Sequence, residues 1–111
     1  MVSELLQKDP ALAALVERVV ELYQPERVYL FGSKARGDDG PDSDYDVMVV
    51  VPDDADPQRM LSRRFYEKCW DLKRGADVVV IRRSSFEGRA EHVVTSLPAT
   101  VLREGKILYA A

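Results

Sequence analysis

The sequence predicts an α+β domain with α/β-like alternation, a small mixed β-sheet flanked by helices. Three observations predict it. Short runs rich in β-branched and aromatic residues, RVYLF, YDVMVVV and ADVVVI, lie between stretches of helical periodicity. Their order is helix, strand, strand, helix, strand, helix, which suits helices covering a sheet. And 111 residues with 46% hydrophobic content build one core but not two. The chain is therefore read as one domain over residues 1–111.

Each element has a local reason. Asp9 and Pro10 read as an N-cap and first helical residue, after which Leu12, Leu15, Val16, Val19, Val20 and Tyr23 recur at helical spacing. Pro25 stops this helix. The first strand covers 27–31 and ends at Gly32, and 33–37 reads as a helical turn entering a polar loop. The second strand, 45–51, carries the unbroken stretch VMVVV, which predicts burial on both faces. A turn over 52–57 leads to a helix predicted over 58–74, with Met60, Leu61, Phe65, Cys69 and Leu72 on one side and Gly75 as its stop. The third strand is 76–81. Ser84 or Ser85 is expected to cap a helix reaching Val94, Pro98 opens another that ends at Gly105, and 106–109 forms a short last strand.

Composition excludes several function classes. Nineteen acidic against sixteen basic residues give a net charge of −3, unlike the basic face of a sequence-independent nucleic-acid binder. The longest apolar run, 47–51, is far short of the ~20 residues of a membrane span, and the N-terminal stretch is interrupted by Glu4, Lys8, Asp9 and Pro10, with no signal-peptide core. The single cysteine, Cys69, forms no internal disulfide, which suits a reducing cytoplasm.

The chemistry concentrates in FGSKARGDDGPDSDYDVMVVV, residues 31–51. A strand delivers the chain to Gly32-Ser33 at the start of a helical turn, where backbone N–H groups and a hydroxyl suit a phosphate. An ordinary strand-to-helix turn with a serine cap is the alternative reading. Lys34 and Arg36 add positive charge. Asp44 and Asp46 flank Tyr45 at a strand start, so both carboxylates project from one face. They repel unless a cation lies between them, and such oxygen ligands suit Mg²⁺. Asp77, at the mouth of another apolar strand, completes a triad if the two strands are neighbours. Together these are the parts of a metal-dependent phosphoryl or nucleotidyl transfer site.

At this point the residues resemble a family. Gly32-Ser33, ten residues, then Asp44-x-Asp46 is similar to the GS-x(10)-DxD signature of the DNA polymerase β-like nucleotidyltransferase superfamily. The longer string GSKARG…SDYDVMVVV resembles the minimal nucleotidyltransferases (MNT), and a weaker similarity extends through Asp77 to SLPATVLREGKILY. The resemblance implies a polymerase β palm-like fold with the site at one end of the sheet. It implies that Gly32 and Ser33 contact the β- and γ-phosphates of a nucleoside triphosphate, that Asp44 and Asp46 bind two Mg²⁺ ions, and that Asp77 touches one ion and the incoming hydroxyl. For Arg36 it leaves open a phosphate contact or a salt bridge to the acidic loop.

MNT proteins commonly pair with a small helical HEPN protein as a toxin–antitoxin system. The resemblance therefore implies an antitoxin that moves AMP from ATP to a tyrosine of a HEPN toxin. A non-catalytic antitoxin acting by contact, and transfer to a small-molecule hydroxyl, are the alternatives; the second needs a pocket that a homo-oligomer could supply. Of the remaining residues, His92 reads as helix surface, Cys69 and Trp70 as core, Arg63-Arg64 and Lys73-Arg74 as a solvated helix face, and Asp53, Asp54 and Asp56 as a solvated turn. Arg82-Arg83 reads as charge that could lie near the site.

Overall fold

The computed structural model describes residues 4–37, 40, 44–61, 63–68 and 75–111. Helices α1 (Glu4–Lys8) and α2 (Pro10–Tyr23) lead into strand β1 (Arg27–Phe31). A single helical turn, α3 (Ser33–Arg36), precedes β2 (Tyr45–Val51). A 3₁₀ turn (Pro57–Met60) and α4 (Arg63–Lys68) lie between β2 and β3 (Ala76–Arg82). Helices α5 (Arg83–His92) and α6 (Leu97–Glu104) are followed by β4 (Lys106–Ala110). The strands form one mixed sheet in the order β3-β2-β1-β4, with β2 and β3 parallel and the other pairs antiparallel. This is the α+β architecture expected from the strand patterns.

Alternation along the strands divides the core in two. Val28, Leu30, Tyr45, Val47, Val49, Val51, Ala76 and Val78 face α2 and α4, where they meet Leu12, Leu15, Val16, Val19, Tyr23 and Phe65. Tyr29, Met48 and Val50 face the other way and pack with Phe86 of α5 and Val101 of α6; Phe31, Val79 and Ile81 complete that side. The residues of β2 from Val47 to Val51 are all buried, as its apolar run predicts.

Four local readings change. The N-terminal α1 carries no strong periodic signal and was not expected. The helix expected over 58–74 is interrupted: Leu61 is extended and 37% exposed, and the chain resumes as α4. The Tyr23 hydroxyl stabilises this break, donating to the Leu61 carbonyl at 2.9 Å and accepting from the Phe65 N–H at 3.1 Å, so it satisfies a donor of the first α4 turn. Residues Cys69, Trp70, Leu72, Lys73 and Arg74 lie outside the described residues. Neither Ser84 nor Ser85 caps α5; the Ser84 N–H donates to Asp53 Oδ1 at 2.9 Å instead. Asp53 and Asp56 are thus not merely solvated, since Asp56 likewise accepts from the Gln58 N–H at 2.8 Å. Among the described residues no helix is long and apolar enough to cross a membrane.

Candidate active site

Parallel pairing of β2 and β3 sets Asp46 opposite Asp77 in register. Both side chains therefore rise from the sheet face that carries Met48 and Val79, beyond the end covered by α5 and α6. Asp44 lies just before β2, two residues from Asp46. The Tyr45 N–H donates to the Gly75 carbonyl at 3.1 Å, which carries the pairing back one step and brings Asp44 beside Gly75. The two strand mouths thus set Asp46 opposite Asp77, and Asp44 beside Gly75, at one end of the sheet.

Two glycines make room for these carboxylates. Gly32 has φ +76, a conformation that favours glycine, and a Cβ there would run into the Asp46 carboxylate, 3.1 Å from its Cγ. A Cβ at Gly75 would meet the Asp44 carboxylate, 2.9 Å from its Cγ. Gly75 was read from sequence only as a helix stop. Its second role follows from the parallel register, which no local pattern reveals.

Electrostatics agree with this placement. The Asp46 carboxyl titrates above the ordinary carboxylate range, first because it is half-buried and then because Asp77 and Asp44 are negative neighbours. Arg36 pulls it back, and a hydrogen bond with Asp77 favours the protonated form. Exposed Arg36 therefore acts on Asp46 as a nearby positive charge. Three carboxylates from adjacent strand ends are a hard-oxygen donor set of the kind Mg²⁺ takes. Among the described residues no group of three His, Cys, Asp or Glu side chains is drawn together closely enough to hold an ion as it stands. The donor chemistry fits the metal, and the mutual repulsion felt at Asp46 is what a cation would relieve.

Ser33 is the first residue of α3, and Gly32 is the N-cap, with no side-chain capping bond. The serine-cap reading of this turn is therefore wrong, and the hydroxyl is not committed to capping. Lys34, read from sequence as added positive charge, holds its Nζ 4.8 Å from the centroid of the Tyr45 ring. Arg82 and Arg83 lie at the far end of β3 and take no part in this site: Arg82 donates to the carbonyls of Asp53 and Ala55, and Arg83 pairs with Glu26 at 2.9 Å. His92 is exposed on α5, as expected.

The family profile described as nucleotidyltransferase domain matches residues 12–107, nearly the whole chain and all of the carboxylate site. No curated protein matches the chain. Among solved structures, the chain is similar to a protein from Sulfolobus solfataricus described as a candidate nucleotidyltransferase, at 21% identity and a TM-score of 0.56, over 91% of this chain and 78% of the other. It is also similar to a toxin–antitoxin structure with AMP-PNP, at 22% identity and a TM-score of 0.59, over 88% and 73% of the two chains. A third similar structure is a mutant of the toxin–antitoxin MntA-HpeT with two Asp-to-Glu replacements two positions apart. There the identity is 18% and the TM-score 0.54, over 86% and 71%.

Proposed function

The chain belongs to the nucleotidyltransferase domain family, and from that premise we propose that it moves AMP from ATP onto a protein hydroxyl, as the antitoxin of a toxin–antitoxin pair. The acceptor we infer is a tyrosine of a HEPN-type toxin. The observation that carries this reading is the convergence of Asp44, Asp46 and Asp77 at one sheet end, against the glycine turn at Gly32.

In this reading Asp44, Asp46 and Asp77 hold Mg²⁺, two ions in full occupancy. The metal supplies charge neutralisation at the phosphates. Gly32 and Ser33 receive the β- and γ-phosphates at the start of α3, and Arg36 adds a positive charge beside them. The acceptor hydroxyl oxygen bonds to the α-phosphorus, the bond to pyrophosphate breaks, and the hydroxyl proton passes to Asp77. Positioning and electrostatics carry such a transfer. The partner is a folded protein, not nucleic acid or membrane, and the setting is the cytoplasm. Residues 1–111 act as one domain.

The similarity in fold to toxin–antitoxin structures, one of them holding AMP-PNP, supports the pairing and the nucleotide. The test is incubation with labelled ATP, Mg²⁺ and a cognate HEPN-type protein. Label is expected on a partner tyrosine, and label that persists with Asp44→Ala/Asp46→Ala refutes the reading. If Asp44→Asn still neutralises the toxin in cells at normal expression, contact alone suffices and catalysis is secondary.

A further inference from the structure

Tyr45 stands between the two aspartates of the carboxylate pair, and its side chain points the opposite way, into the main core, where it is 1% exposed. Its hydroxyl donates to Asp9 Oδ2 at 2.7 Å. Asp9 is also the N-cap of α2: its other oxygen, Oδ1, accepts from the Leu12 N–H at 3.1 Å. The Lys34 ammonium sits over the face of the same ring, 4.8 Å from its centroid. Lys34 directly follows Ser33 in the turn that would receive phosphates.

We propose that Tyr45 is a positioning residue that, held by Asp9 and Lys34, sets the carboxylate pair at a fixed distance from the phosphate turn. The inference rests on the carboxylates being the metal–nucleotide site. The strand period is the reason it works. Fixing the Tyr45 ring on one face of β2 fixes the backbone that aims Asp44 and Asp46 on the other. A short O–H···O⁻ bond to a cap that is itself hydrogen-bonded to α2 is a stiff anchor, and a cation over the ring face adds attraction from the turn. Asp9 lies 36 positions from Tyr45 in sequence. It acts through Tyr45 and touches no reacting atom.

The test compares wild type, Tyr45→Phe, Asp9→Ser and the double variant. Phenylalanine keeps the ring and loses the hydroxyl. Serine keeps the cap of α2 but is too short to reach Tyr45. Calorimetry measures Mn²⁺ affinity in the presence of a non-hydrolysable ATP analogue, at a temperature well below every melting point. Each single variant is expected to weaken Mn²⁺ roughly five- to twentyfold. The double variant is expected to be no worse than the weaker single, because both break the same bond. A merely structural bond lowers the melting temperature and leaves this affinity unmoved. Unchanged affinity, or losses that multiply, overturns the positioning role and leaves the site reading standing. A wild-type protein that binds neither Mn²⁺ nor the analogue overturns both.

Discussion

At the start of β2 and β3, Asp46 lies opposite Asp77 with Asp44 two residues away, and Asp46 is held above its ordinary titration range by burial and like charge. At the other end, where Val51 pairs with Arg82, the arginines find acceptors. Arg82 donates to the Asp53 and Ala55 carbonyls at 2.7 and 2.8 Å, and Arg83 pairs with Glu26. Asp53 accepts from the Ser84 N–H, and that hydrogen bond holds its carboxyl below the ordinary range. A cleft of about 530 Å³ also opens at this second end, lined by Glu26, Arg27, Arg83 and Phe86 among others. Unrelieved like charge makes the carboxylate end the candidate site, because an arrangement that costs stability calls for another explanation.

The sharpest way to break this comparison is Asp46→Asn. If the crowded end is catalytic, the substitution removes a metal ligand worth several kcal/mol in the transition state, and AMP transfer should fall by about a thousandfold or more. The same change removes repulsion in the metal-free protein, so its melting temperature should rise. A variant that loses activity by unfolding would melt lower, and that result would contradict the electrostatic account.

Metal addition sharpens the contrast. Mg²⁺ or Mn²⁺ binding only the native state at about a hundred times Kd stabilises by about 2.7 kcal/mol. For a domain of this size that is a rise of roughly ten degrees. The rise should grow with ATP and vanish in Asp46→Asn, while Arg83→Met should leave it unchanged. A shift that survives Asp46→Asn would locate the metal elsewhere.

Ser33→Ala comes next in size. Gly32 occupies the cap position, so losing the hydroxyl should move stability by no more than about 0.5 kcal/mol. If the hydroxyl holds the triphosphate, ATP should weaken about ten- to a hundredfold and AMP hardly at all. Equal weakening of both nucleotides, measured by calorimetry, would mean that Ser33 only shapes the turn.

What the sequence made legible follows from range. The strands, the α2 cap at Asp9 and the Gly32-Ser33…Asp44-x-Asp46 spacing are local patterns, and all of them recur in the structure. Asp77 was legible because its apolar strand resembles β2, and neighbouring the two strands was the one tertiary assumption needed. Gly75 under Asp44, Tyr45 on Asp9 and Asp53 on α5 were not legible. Each joins residues about thirty or more positions apart through the register of the sheet or the meeting of loops. The break at Leu61 was hidden for a similar reason: the apolar spacing continues across it, and the tyrosine that stabilises it lies on α2.

The smallest expected effect is a pH dependence of opposite sign at the two ends. Asp46 has a raised native value. Its contribution is fully present below the unfolded carboxylate pKa of about 4 and is lost as pH rises through the raised value. The stability advantage of Asp46→Asn over wild type should therefore grow from acid to neutral pH. Asp53 has a lowered native value. Its contribution is present above about pH 4 and is lost as pH falls through the lowered value. Asp53→Asn should therefore be less stable than wild type at neutral pH, and the deficit should shrink on acidification. Denaturant unfolding without metal, from about pH 7 down to pH 3, a window spanning the ordinary carboxylate value, should give two difference curves. One lies above wild type and one below, and they converge at the acid end. Curves of the same sign would mean that the two ends of the sheet do not differ electrostatically, and the contrast would fail.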